Sequence, residues 1–149
     1  MTRQPRPAAR ILLVDGDGRV LLFRFTPNDR PPFWCTPGGA LDAGESYAAA
    51  ARRELREEVG IDRDCGPEVA QRTVAFRTIE GVDVIADERW FRVDVDGCAV
   101  DTGGHTALER RVMTQWRWFT AAALAAHPER LYPDDLAAML AATEPADAR

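Results

Sequence analysis

The chain has no lysine: all 19 of its basic residues are arginine. Schiff-base chemistry through a lysine is therefore excluded. Any permanent cation that meets an anion here is a guanidinium, whose planar fork suits phosphate. Cysteine is scarce too. Cys35, Cys65 and Cys98 are an odd number at wide spacing with no CxxC pair, which predicts free thiols, buried or half-buried, in a reducing compartment. There is no long apolar run. After the polar, proline-containing stretch Met1–Arg10, Ile11–Val14 offers only four apolar residues in a row. Neither a signal peptide nor a membrane span is expected, and the cytoplasm is the expected location. An excess of positive charge is missing as well. The net charge of −5 argues against a general nucleic-acid or membrane-surface binder, so neither partner is expected. Repeats and a domain linker are absent.

What is present fits one domain: 149 residues, 46% apolar and 29% charged, enough for a single core. Residues 1–7 read as a disordered lead-in, 8–142 as one mixed α/β domain, and 143–149 as a frayed tail. Ala8–Val14 and Arg19–Phe25 read as strands around the turn Asp15-Gly-Asp-Gly18. Thr26–Pro32 is a loop with three prolines. Phe33–Thr36 is a short strand that delivers Pro37-Gly38-Gly39 to a helical run with Ser46 as its N-cap and Gly60 as its C-terminal stop. Two longer strands follow, Glu68–Ile79 and Val82–Val95. The polar stretch Asp96–Thr106 leads through Glu109 to a strand at Gln115–Phe119. A short helix begins at Thr120 and is closed by His127-Pro128, and a second one spans Pro133–Ala142.

The helix after Gly39 carries the chemistry. Glu54, Glu57 and Glu58 lie at helical spacing on one face, beside an apolar stripe of Ala48, Ala51, Leu55 and Val59, which places the acids at the rim. Three carboxylates near a helix C-terminus repel one another and oppose the macrodipole, so a compensating cation is expected. Oxygen ligands without His or Cys point to Mg²⁺, with Mn²⁺ as a substitute. On the same wheel Arg53 faces away from the acids and reads as an orienting partner for Glu45.

The whole stretch Gly39–Ile61 matches G-x5-E-x7-R-E-U-x-E-E-x-G-U, with U apolar, at Gly39, Glu45, Arg53, Glu54, Leu55, Glu57, Glu58, Gly60 and Ile61. It thereby resembles the Nudix hydrolases, of the MutT type. The resemblance implies an α/β/α sandwich around a mixed sheet. It also implies Mg²⁺-dependent cleavage of the diphosphate in a small nucleoside diphosphate-linked substrate. By it, Glu57 and Glu58 are the main metal ligands and Glu54 is a third ligand or the base. The carbonyl of Gly39 is a further ligand, while Glu45, Arg53 and Gly60 are structural. A fourth carboxylate is expected downstream: Glu109 first, because it is placed in an irregular segment before the Gln115 strand, then Glu88, Asp87 and Asp101. Arg24, Arg30, Arg77 and Arg92 are candidate phosphate contacts, and Phe33 and Trp34 could stack on a base. Trp90, Trp116 and Trp118 read as core. His105 and His127 receive no role.

The residues past the box, Arg77-Thr78-Ile79, carry neither the proline of the ADP-ribose enzymes nor the tyrosine of the diadenosine-polyphosphate enzymes. Nucleoside triphosphates, damaged ones included, and nucleotide sugars remain open as substrates. A homodimer is a common family assembly, without an interface signal here. Two other readings stay on the table: a non-catalytic nucleotide sensor on the same fold, and an isomerase using Cys35.

Overall fold

The computed structural model describes residues 2–97 and 100–145. Cys98 and residues 146–149 of the expected tail lie outside them. Eight strands form a mixed sheet with helices on both faces. The strands are β1 (Gln4–Val14), β2 (Val20–Phe25), β3 (Phe33–Cys35), β4 (Gly38–Ala40), β5 (Glu68–Arg77), β6 (Asp83–Asp94), β7 (Met113–Phe119) and β8 (Arg130–Tyr132). The helices are α1 (Tyr47–Val59), α2 (Ala107–Val112), α3 (Ala121–Ala126) and α4 (Leu136–Ala142). The strand order is β5-β6-β1-β2-β3-β8, with β4 on β1 and β7 on β2.

β1 organises the sheet. It pairs parallel to β6 along its whole length, Gln4 opposite Val84 through to Val14 opposite Asp94. Ala8 to Val14 are all buried, a run apolar but for Arg10, as expected of a parallel strand covered on both faces. One face packs Ala9, Ile11 and Leu13 against Ala50, Ala51, Leu55 and Val59 of α1. The other packs Leu12 and Trp90 against Leu124, Leu136 and Met139 of α3 and α4. Burying one such Leu is worth about 1.5–3 kcal/mol.

The strand starts at Gln4, not at Ala8, so residues 4–7 of the expected lead-in are ordered in the sheet. Pro5 and Pro7 fit because they share the parity of Ile11, whose N–H points away from β6 toward Pro37 O. No bond to β6 is lost at either proline. Three further expectations change. The segment holding Glu109 is the helix α2, begun by a capping box of Thr106 and Glu109. The link between α3 and α4 contains β8, and α4 begins at Leu136. Trp116 is exposed on β7, whereas Trp90 is buried. Ser46 caps α1 by accepting the Ala49 N–H, and Gly60 ends it at φ 89°.

Candidate active site

β4 lies against the acids of α1 because two glycines allow it. At Gly38, φ is 137° and a Cβ would fall 2.2 Å from Ala9 O. At Gly39 a Cβ would stand 2.7 Å from Glu54 Oε1. The Gly38 N–H donates to Glu58 Oε1 at 2.7 Å. Glu54 and Glu58 are consequently buried, at 8% and 2% exposure, and not at the rim. Ala50 replaces Ala48 in the apolar stripe, Ala48 being exposed. Only Glu57 is half-exposed. Burial pushes the Glu58 carboxyl well above its ordinary range, reinforced by neighbouring Glu54. Burial raises Glu54 as well, against the pull of Arg53.

Arg53 grips both carboxylate oxygens of Glu45, through Nε to Oε2 and Nη2 to Oε1, each at 2.9 Å. That pairing is as expected, but Arg53 does not face away from the acids. Its Nη1 reaches Glu54 at 3.0 Å and Glu57 at 3.2 Å, because residues 53 and 57 are i,i+4 neighbours on one face. Among the described residues no three His, Cys, Asp or Glu side chains close into a metal cluster. Arg53 stands between two of the acids instead. Even so, the donor set fits a hard divalent cation: two buried carboxylates, a half-exposed third and the adjacent Gly39 backbone.

The end of α1 is held by the loop 101–105. The Asp101 N–H donates to Val59 O at 2.8 Å, and His105 Nε2 lies 2.9 Å from Glu58 O. His105 is buried and meets Phe23 edge-on. It has a partner after all, one the sequence could not show because it is a backbone carbonyl. The same loop leads to Glu109, whose charge acts on both Glu54 and Glu58. One oxygen of Glu109 accepts the Thr106 N–H.

A cleft of about 760 Å³ opens beside the acids. Glu54, Glu57, Glu58, Glu88 and Glu109 line it, as do Arg30, Arg77 and Phe33. Three candidates, Arg24, Trp34 and Arg92, are elsewhere. Arg24 pairs with Glu129 at 2.7 Å, and Trp34 is buried with its indole N–H on the same carboxylate at 2.8 Å. Both belong to the β2–β3–β8 core and do not face the cleft. Arg92 likewise pairs with Asp94 on its own strand and donates to Leu140 O of α4. Cleft residues that the sequence reading passed over are Arg6, Arg10, Arg72 and Tyr132. Cys35 also lines the cleft, and burial raises its thiol.

The NUDIX domain family model matches residues 4–140. The chain belongs to the Nudix family. An RNA pyrophosphohydrolase of Roseobacter denitrificans is 29% identical over 129 residues, covering 80% of this chain and 79% of that one. A CTP pyrophosphohydrolase of Escherichia coli K12 is 40% identical over 70 residues, 45% of this chain and 52% of its own length. Among solved structures, the solution structure of the E. coli ORF135 protein has a TM-score of 0.61 at 26% identity, covering 94% of this chain and 89% of that one. This Nudix protein is a pyrophosphohydrolase, an enzyme acting on a diphosphate linkage. No helix among the described residues is long and apolar enough to cross a membrane.

Proposed function

We propose that this Nudix enzyme is a Mg²⁺-dependent hydrolase of nucleoside 5′-polyphosphates, either free nucleotides, damaged ones included, or the 5′ end of an RNA. The observation that carries the reading is the burial of Glu54 and Glu58 side by side against Gly38 and Gly39, on the wall of the cleft. Two adjacent buried carboxylates are costly unless a cation or protons compensate them. The names of the RNA and CTP pyrophosphohydrolase relatives support both kinds of nucleotide end.

In this reading Glu54, Glu57, Glu58 and the Gly39 carbonyl hold the cation. Bound there, it neutralises charge developing on the phosphate oxygens. Arg53 and Glu45 keep the loop before α1 closed on the helix. Glu109, whose charge acts on the buried acids, is assigned in this reading as the group that accepts a proton from the attacking water. Glu88 instead neighbours Arg6, Arg10 and Arg72.

The test is phosphate release from dNTPs, oxidised dGTP, 5′-triphosphate RNA, CTP, nucleotide sugars and ADP-ribose, with Mg²⁺, Mn²⁺ or EDTA. Metal-dependent turnover of a nucleoside polyphosphate is expected. A folded, metal-binding protein that turns over none of them is a sensor, and the reading is then wrong.

A further inference from the structure

Arg10 is a buried cation that has no carboxylate within ion-pair distance among the described residues. It is 9% exposed, and its contacts are Cys35 Sγ, Thr36 O and Thr36 Oγ1, all made by the one nitrogen Nη2. Its other terminal nitrogen and Nε have no partner among the described residues, which leaves three N–H donors of the fork unused. Arg24, Arg72 and Arg92 each pair with a carboxylate; among the described residues Arg10 does not. Cys35, and then Glu88, Glu58 and Glu54 from beyond ion-pair distance, outweigh burial and hold it charged.

Arg6 repeats the pattern. It stands four residues earlier on β1, on the same strand face, and it too lacks an ion pair among the described residues. It lies over the Phe76 ring at 5.5 Å. Both arginines line the cleft that holds the box acids. Trp90, on the same cleft, has a buried indole N–H that is unpartnered among the described residues. Packing alone does not call for a cation at this spot: the neighbouring β1 positions are Ala8, Ala9 and Ile11.

We propose that Arg10, with Arg6 beside it, is an anion subsite for a phosphoryl group bearing a free end, and that it selects nucleoside 5′-polyphosphates over diphosphate diesters such as nucleotide sugars. This rests on the hydrolase reading above and narrows its substrate class. The reason is charge and geometry. A terminal phosphoryl group offers three unesterified oxygens and close to two negative charges. An internal phosphoryl of a diester offers two oxygens and one charge. A buried guanidinium fork with three open donors gains more from the first.

The experiment compares the wild type with Arg10→Met and Arg6→Met in three measurements. The first is kcat/KM for a dNTP and for ADP-ribose. The second is calorimetric titration with Mg²⁺ alone. The third is titration with methylenediphosphonate, an uncleavable anion with two free ends, in the presence of Mg²⁺. Expected is a loss of about 30-fold or more on the dNTP, mostly in KM, with a much smaller loss on ADP-ribose. Methylenediphosphonate binding should weaken by about 10-fold or more while Mg²⁺ binding is unchanged. Arg10→Met should still melt cooperatively, although it loses the Thr36 contacts and a cation that acts on buried Glu58. Equal losses on both substrates, or undiminished methylenediphosphonate binding, overturn the subsite. Should Arg10→Met fail to fold, Arg10 is structural, and unchanged anion binding by Arg6→Met then ends the proposal. If the wild type hydrolyses nothing in the panel, the hydrolase reading fails, and the methylenediphosphonate titration alone decides the subsite.

Discussion

Glu58 accepts the backbone N–H of Gly38 at 2.7 Å, and through this bond α1 is fastened to β4. The two residues are twenty apart in the chain. Only a glycine permits the backbone to approach this closely, and a side chain of glutamate length on that turn reaches the N–H. The bond offsets part of the burial that pushes the Glu58 carboxyl up.

Gly38→Ala and Gly39→Ala should fail in different ways. At position 38 the added methyl meets the backbone of Ala9 and the φ of 137° is unsuited to alanine, so a loss of more than about 2 kcal/mol is expected in denaturant unfolding. At position 39 the methyl meets the Glu54 carboxylate. That variant should fold and bind Mg²⁺ at least about 10-fold more weakly by calorimetry.

Glu57→Gln should lower turnover by more than about 100-fold without lowering the melting temperature of the metal-free protein. Arg53 keeps Glu45 and Glu54 as partners when Glu57 is neutral. A variant that unfolds, or one with full activity, would show that the acids are structural.

Glu109 has two tasks that one pair of substitutions separates. Glutamine can still serve in a capping box, so Glu109→Gln keeps the bond to the Thr106 N–H and removes the charge. Turnover should fall about 100-fold with the fold unchanged, more than in Glu88→Gln. Glu109→Ala should in addition lose about 1 kcal/mol of stability. The opposite ranking of the two glutamine variants in a phosphate-release assay would transfer the base to Glu88.

Glu129 makes the acid limb of stability testable. Arg24, and next Trp34, hold its carboxyl down to about 2 from an ordinary 4.5. A group whose folded pKa is depressed contributes stability above its unfolded pKa and loses it as pH falls through the folded one. The contribution of Glu129 is thus complete above about 4.5 and gone near 2. In thermal melts, Glu129→Gln should be less stable than the wild type at neutral pH, with the gap closing across that window.

Local signals were legible. The helix α1, its Ser46 cap, its Gly60 stop and the Glu45–Arg53 pair follow from spacing and from intrinsic conformational preference. What was not legible depends on distant partners. Arg24 and Trp34 looked available until Glu129, about a hundred residues on, was brought to them. Arg6 sits in the proline-bearing lead-in that reads as a tail, and Arg10 in a strand that reads as apolar core; pairing with β6 makes both part of one strand along the cleft. Glu54 and Glu58 are buried by β4, which no wheel of α1 alone contains. One miss had a signal: Thr106-Ala-Leu-Glu109 is a capping-box pattern, and it marks the start of α2.

The parallel pairing of β1 with β6 sets the order in which the molecule can be made. Gln4 meets Val84, so β1 leaves the ribosome eighty residues before its partner exists. At 5–20 residues per second that is roughly 4–16 s of waiting. During this time the apolar half, Ile11–Val14, is a bare strand edge open to pairing with other nascent chains. Pro5, Arg6, Pro7 and Arg10 stand at its leading side, two residues that cannot donate and two that repel their like. The stretch that later walls the cleft is also the guard that lets the strand wait.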